Sequence, residues 1–513
     1  MEQLTLHVAN LLNKVKCIDK WQKTFMSSLF LTWLSLRGSY TFTQLSSQGG
    51  MNESTYRRNF AKSFDFAKFN YELIIEHCSP NRIIVVDPSQ ISKSGTQTHG
   101  VGFFWSGAAG AMKKGLEILG IIIVDLDAHT GFHYVAVQTT WALAKEAEEK
   151  YLAEQERLAA IIAEEEAKLA KAAAKKKAAD EKLKAQKAAQ KAASKIKTPA
   201  ANKNAKESKK KKEASKGQKK TPKVKKAKIS KGGGALILYY GNVIEKYAAD
   251  LLKLSTYLVV DSFFAKKDFI ERMNKLGFTV ITRLRNDCVL KYPYLGEYSG
   301  SGRPRKYDGT VAVKAIRESF FTKHQIDKDT VWYEAELWVQ SLGKLTTVII
   351  QHDLADDGTI KKARVLVCAD DKPLEHDLAD DGAIKKARVL VCADGKPLNG
   401  KDIGHYYHCR FQIEFLFRDG KQFSGLEDCQ ARSAEKLDFH FNASLTSVSL
   451  AKVAYYLPIP VEERNAFSMH NVKTQAANHL FLQKVFSTYG IDPNQAKNNP
   501  AYAELCNFGC VAA

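Results

Sequence analysis

The sequence predicts an α/β protein. Its core is a mixed five-stranded sheet with helices, interrupted by a β-rich insertion and preceded by an N-terminal helical region. Three observations lead there. Arg82-Ile-Ile-Val-Val-Asp87 and Thr256-Tyr-Leu-Val-Val-Asp261 are apolar runs without alternation, the pattern of strands buried on both faces. Helical stretches alternate with strands after residue 235, and residues 1–75 carry helix signals.

Within residues 1–75, Trp21 to Leu36 is apolar with few breakers. Phe42-Thr-Gln-Leu45, then Gly49-Gly50, then Asn52 to Phe60 reads as helix, glycine turn, helix, with Asn52 as N-cap. Arg57 and Arg58 lie on the second helix, which suits a helix-turn-helix presenting a basic helix to DNA. A small bundle with surface arginines would share this pattern.

Residues 80–141 begin the core. After the run ending at Asp87, Leu116 to Leu126 and Gly131 to Gln138 read as two strands joined by a hairpin turn. The pattern stops at 142–234, which is dominated by Ala, Lys and Glu. Up to about Leu183 this segment suits a solvated helix; beyond it, dense lysine with Pro199, Pro222 and Gly217 predicts disorder. Residues 235–285 then supply helix, strand, helix, strand. Strand, hairpin, helix, strand, helix, strand is the order of a ribonuclease-H-like core.

Residues 286–400 are strand-rich, with Val331 to Val339 and Leu345 to Gln351 the clearest strands. His352 to Glu375 recurs as His376 to Asn399, with 24 − 3 = 21 positions matching; Thr359/Ala383, Asp371/Gly395 and Glu375/Asn399 differ. The second copy is expected to hold the core strand, because Leu398 leads directly into the next helix. Trp332 and Trp338 suit core packing better than stacking on a base. Residues 401–460 are read as core helices and 461–513 as a C-terminal helical region.

Composition narrows the function. The net charge is +21, and Ala185 to Lys231 holds 18 lysines against two acids, 18 − 2 = +16 of it. A polyanion partner is implied, mostly through one segment. No apolar stretch is long enough to span a membrane, and residues 1–20 lack a signal peptide's apolar core, so a cytoplasmic protein is expected. The nine cysteines are scattered without the spacing of paired zinc ligands, so reduced thiols and no structural zinc site are expected.

The chemistry concentrates in Tyr407 to Lys421. On a continuous helix, Tyr407, Arg410, Glu414 and Lys421 fall on one stripe, with Arg418 at its edge, while Phe411, Ile413, Phe415, Leu416 and Phe417 cover much of the rest. Charges on a packed helix need partners. Arg410 and Glu414 alone would form an ordinary i,i+4 pair. Asp87 and Asp261 each end a Val-Val strand, however, so the three acids can converge beside one sheet. Three such carboxylates suit magnesium or manganese, and two ions about 4 Å apart suit phosphoryl transfer. Arg410 and Lys421 then read as phosphate clamps and Tyr407 as a backbone-contacting or stacking group.

The spacing Tyr-x2-Arg-x3-Glu-x6-Lys resembles the signature of the insertion sequence four family of bacterial DDE transposases. Asp87-Pro-Ser-Gln-Ile-Ser-Lys93-Ser-Gly resembles the block around its first catalytic Asp, and Tyr257-Leu-Val-Val-Asp261-Ser-Phe-Phe that around the second. Thr282-Arg-Leu-Arg-Asn, Gly490-Ile-Asp-Pro and Asn507-Phe-Gly are also similar. The resemblance covers roughly 1–141 and 235–513. It implies Asp87, Asp261 and Glu414 as catalytic metal ligands, with Tyr407, Arg410, Arg418, Lys421, Lys93, Arg57 and Arg58 on DNA. The implied partners are double-stranded DNA, as terminal inverted repeats and target, and a second copy of the chain. No small-molecule cofactor is implied. The implied reaction is nicking of each element end, then attack of the freed 3′-hydroxyl on target DNA. The lysine-rich segment and the duplication depart from the family pattern, and the duplication also suits an inactive, repurposed DNA-binding relative.

Overall fold

A computed structural model describes the chain except residues 1, 17, 108, 195–232, 286, 298–304, 370–397, 461–462, 465 and 512–513. The disorder expected beyond Leu183 falls mostly outside the described residues. The chain divides into two compact units, 1–147 with 232–513, and 148–231.

The first unit opens with five helices: α1 (Glu2–Lys14), α2 (Lys20–Ser35), α3 (Phe42–Gly49), α4 (Glu53–Asn59) and α5 (Phe66–His77). Side-chain caps start several of them. Asp19 accepts from the Gln22 N–H, and Asp65 from the Lys68 N–H. Gly50, at φ +73°, ends α3 in the left-handed conformation that glycine adopts without a steric penalty.

Four strands follow: β1 (Arg82–Ser92), β2 (Gly102–Ser106), β3 (Ala111–Asp125) and β4 (Thr130–Thr139). Helix α6 (Trp141–Ser194) crosses from the first unit into the second. Then come α7 (Ala235–Leu254), β5 (Tyr257–Val260), α8 (Lys267–Lys275) and β6 (Thr279–Arg283). The insertion adds β7 (Leu290–Pro293), β8 (Tyr307–Thr310), β9 (Thr322–Gln325), β10 (Thr330–Val339), β11 (Lys344–Leu354) and β12 (Ile360–Ala369). The remaining helices are α9 (Gly400–Cys409), α10 (Gln412–Phe423), α11 (Ala434–Tyr456), α12 (Met469–Tyr489), α13 (Pro493–Lys497) and α14 (Pro500–Asn507). No helix among the described residues is long and apolar enough to cross a membrane.

The twelve strands of the described residues join one mixed sheet, ordered β2-β3-β1-β5-β6-β12-β11-β10-β7-β8, with β4 on β3 and β9 on β10. The expected five strands, β4-β3-β1-β5-β6, are contiguous, but the sheet does not stop there. β12 pairs antiparallel with β6, Val367 opposite Thr282, so the insertion extends the same sheet. An edge strand with unpaired backbone groups accepts another strand readily, and here the chain supplies its own.

The strand on β6 comes from the first copy of the duplication, not the second as expected. With 21 of 24 positions identical, either copy has the apolar Val-Leu-Val-Cys-Ala run that such a strand needs. The copies differ where it matters next. Asn399, opposite Glu375 in the repeat, caps α9 in a reciprocal box with Asp402.

Helix α11 backs β4 and is buried around most of its circumference. Its small residues allow close approach, and Asn442 answers β4 directly, accepting from the Ala136 N–H and donating to the Ala136 carbonyl. The N-terminal helices grip the end of α10. Trp33 Nε1 donates to the Ser424 carbonyl at 3.0 Å, and Tyr40 Oη to that of Phe423 at 2.8 Å. Lys473 reaches in from α12, donating to the Trp33 carbonyl and the Tyr40 hydroxyl.

Burial, with Arg37 nearby, lowers the Lys473 ammonium to about 7. A folded pKa below the unfolded one penalises folding most when the lysine must be buried charged. That penalty is full below pH 7 and fades as pH rises toward the unfolded value near 10.4. Lys473→Met should therefore raise the unfolding midpoint more at pH 6 than at pH 9. A pH-independent difference in urea or thermal unfolding would refute this.

Candidate active site

β1 and β5 are parallel, with Ile84 opposite Leu258, Val85 opposite Val259 and Val86 opposite Val260. All six side chains are fully buried, which explains the unbroken apolar runs. Asp87 and Asp261 come next on each strand, so the register sets them side by side on neighbouring strands about 4.8 Å apart. The Thr282 hydroxyl donates to the Asp261 carbonyl at 2.8 Å, and Asp261 Oδ1 accepts from the Phe263 N–H at 2.9 Å. Both bonds fix the end of β5.

Tyr407, Arg410, Glu414 and Lys421 do not lie on one continuous helix as expected. α9 ends at Cys409 and α10 starts at Gln412. Between them the N–H groups of Arg410, Phe411, Ile413 and Glu414 bond three residues back, a 3₁₀ tightening without leaving the right-handed helical region. Neither Gly nor Pro marks this break.

α10 is seated by Ile413, Leu416 and Phe417. A Cβ on Gly120 of β3 would lie 2.6 Å from the Phe417 ring, so that glycine permits the approach. The opposite stripe meets the aspartates. Arg410 donates through Nη2 to Glu414 Oε1 at 2.9 Å, and its Nη1 lies 3.8 Å from Asp87 Oδ2. One guanidinium thus bridges an acid on β1 and an acid on α10. It also lies 5.9 Å from the Tyr407 ring centroid, and its buried Nε has no hydrogen-bond partner.

Three carboxylates around one arginine leave an excess of negative charge. Burial pushes Asp87 up to about 7; Arg410 opposes this, while Asp261, Glu414 and Glu117 add to it. Burial also raises Asp261, against the Phe263 N–H and Arg410. Such a cluster is relieved by a cation. The donors are all oxygens, which fits a hard divalent ion such as magnesium or manganese. The three are not gathered as tightly as side-chain triples whose ligand atoms all lie within 4.8 Å of one another, and Arg410 sits between Asp87 and Glu414.

The other expected residues are placed differently. Lys421 donates to the Gln90 carbonyl at 2.7 Å and lies 3.8 Å from Glu427, tying α10 to β1. Lys93 donates to the Cys429 carbonyl. Arg418 pairs with Asp419 at 2.9 Å and covers the Phe415 ring. Arg57 and Arg58 are exposed on α4, with Arg57 paired to Glu53. The structure therefore gathers Asp87, Asp261, Tyr407, Arg410 and Glu414, sets Lys93 and Lys421 along the end of β1, and leaves α4 apart.

Two neighbours were not read from the sequence. Glu117 is buried on β3, accepts from the Tyr240 hydroxyl and adds to the field at Asp87. A lone acid in an apolar strand was the available signal. Arg283 on β6 has a buried Nε without a hydrogen-bond partner and acts on Asp261 and Tyr407. Trp332 is buried, stacked on His408 at 5.6 Å.

No curated protein matches the chain. Two family models do. The transposase DDE domain matches residues 242–450, which contain Asp261 and Glu414. The DDE superfamily endonuclease matches residues 66–336, more than half of the chain, and contains Asp87 and Asp261. With both aspartates inside that match, on adjacent parallel strands, the chain belongs to the DDE superfamily of endonucleases.

Proposed function

We propose that the protein is a DNA transposase of the insertion sequence four kind. It cleaves strands at the terminal inverted repeats of its element and joins the freed 3′ ends to target DNA. The observation that carries this reading is Arg410 bridging Asp87 and Glu414 beside Asp261. The strand order β4-β3-β1-β5-β6, with its parallel β1–β5–β6 segment, supports a ribonuclease-H-like core beneath them.

Asp87, Asp261 and Glu414 would hold the divalent ions, magnesium or manganese. Bound there, a pair of ions supplies Lewis acidity for both the attacking and the leaving oxygen of phosphoryl transfer. Arg410, freed from its carboxylates, would turn toward a phosphate, and Arg283 and Tyr407 line the same approach. Lys93 and Lys421 extend the basic path along β1. Double-stranded DNA ends and target DNA are the partners, bound by a dimer of the chain.

The test uses a DNA fragment carrying the inverted repeats that flank the gene. With magnesium, the protein should release ends bearing 3′-hydroxyl groups, and chelator should stop it. Uncut ends under both conditions would sink the reading.

The lysines of 185–231 should add affinity without selecting ends. Deleting that segment should weaken binding to unrelated DNA about tenfold or more at low salt, through fewer phosphate contacts. Preference for the element end should persist in gel-shift competition. Loss of end preference would instead place recognition in the deleted segment.

A further inference from the structure

A second cluster of side chains able to hold an ion gathers at the end of α9, apart from the three carboxylates in residue and in donor type. Cys409 is buried at the end of this helix, immediately before Arg410. His405 is one turn earlier, its Nε2 3.7 Å from Cys409 Sγ. The third member, His129, comes from the β3–β4 turn, its ring edge-on to His405 at 5.5 Å between centroids. The ligand atoms of all three lie within 4.8 Å of one another.

The chemistry and the distances agree. A tetrahedral ion with metal–sulfur and metal–nitrogen bonds of about 2.3 and 2.0–2.1 Å sets sulfur and nitrogen about 3.6 Å apart. The observed separation of 3.7 Å is close to that edge. A simple thiol–imidazole hydrogen bond would account for Cys409 and His405 but not for a second imidazole, His129, converging on them. His129 also holds a backbone φ of +48°, the only non-glycine positive φ among the described residues. An N,N,S donor set favours borderline-soft ions, unlike the all-oxygen set at the carboxylates. The other such triple among the described residues, His7, Glu76 and His77, fits less well. Its two Nε2 atoms are 2.6 Å apart, closer than the roughly 3.3 Å between nitrogens on one tetrahedral ion.

We infer that His129, His405 and Cys409 form a binding site for a zinc-class divalent ion that fastens the β3–β4 turn to the end of α9. Three protein ligands leave a fourth position for water. An ion here would stiffen the helix end from which Arg410 departs. The cysteine spacing gave no hint of this, because two of the ligands are histidines and one lies in a distant turn.

The test is absorbance titration of the metal-free, untagged full chain with cobalt(II). One equivalent should produce the visible bands of tetrahedral cobalt together with a thiolate-to-cobalt charge-transfer band, and zinc should displace both. His129→Gln, in an exposed turn, should weaken cobalt binding at least about 100-fold. Cys409→Ser should remove the charge-transfer band, and Glu414→Gln should keep it. If Cys409→Ser fails to fold by circular dichroism, His129→Gln decides. The inference is overturned if the wild-type chain gives no charge-transfer band. It is equally overturned if the band keeps its strength and affinity in His129→Gln or Cys409→Ser, or vanishes in Glu414→Gln.

Discussion

Asp87→Asn, Asp261→Asn and Glu414→Gln should each lower strand cleavage at the element end by at least about 1000-fold, as expected when a transition-state charge loses its partner. Each change keeps the side-chain volume and removes one anionic oxygen ligand. Folding should survive, because the Asp87 carboxyl is already pushed up to about 7 by burial and its acidic neighbours. An amide there replaces a group that already gives up about half its charge near neutral pH before an ion arrives. Gel-shift binding to the end should stay near wild type, since the basic path along β1 is untouched. Gel electrophoresis of labelled end DNA gives the cleavage rate. Wild-type cleavage by any one of the three variants would remove that residue from the active site.

Gly404→Val should both destabilise the protein and slow cleavage. A Cβ at Gly404 would lie 2.1 Å from the Trp332 ring, which is 5% exposed and stacked on His408. The helix or the indole must move, and overpacking of this kind costs about 3 kcal/mol. The consequence reaches the active site through α9, which carries Tyr407 and leads directly to Arg410. Displacement by about 1 Å can slow a reaction about 100-fold. Trimming the indole should reverse part of the damage. Stability lost in Gly404→Ala should be partly recovered in a Gly404→Ala, Trp332→Leu double variant, relative to the sum of the single changes. Unchanged melting and cleavage in Gly404→Val would show that α9 is not held by this contact.

The same contact helps set the place of α9 regardless of the duplicated segment upstream. α9 is located by what it touches rather than by the length of chain before it. Trp332 packs on Gly404, the Gly400 N–H donates to Glu334 at 2.9 Å, and Asn399 caps the helix. All three act downstream of the repeat's internal residues. The first copy closes the sheet against β6, and the last residue of the second starts the helix.

β1 and β5 were legible because strands buried on both faces leave no polar alternation, and an acid following each run stands out. The Arg410–Glu414 pair was legible from its four-residue spacing, which survives the break between α9 and α10. Other features left no local trace. β2 was missed because Phe103 and Trp105, both 60% exposed, give its short run no recognisable burial pattern. The duplication was read as carrying a core strand, but neither the copy that supplies it nor its partner was legible, since pairing with β6 is settled by which sheet edge is available. The break after Cys409 keeps right-handed helical dihedrals, so no breaker residue announces it. The choice between repeat copies is nearly degenerate by sequence. Arg57 and Arg58 read as a DNA-facing pair, yet they lie apart from the carboxylates, and their part in binding rests on the proposed docking of DNA.

The claim that Asp87, Asp261 and Glu414 share one metal centre is tested most directly by changing a ligand atom. Asp261→Cys replaces oxygen by sulfur on β5. Magnesium, which demands hard oxygen ligands, should no longer support cleavage, whereas manganese, which accepts sulfur more readily, should restore it. Cleavage of the end DNA by this variant, measured with each ion and divided by the wild-type rate with the same ion, gives one number. Manganese should raise it by at least about tenfold over magnesium. A wild-type rate with magnesium, or the same low rate with both ions, would contradict it.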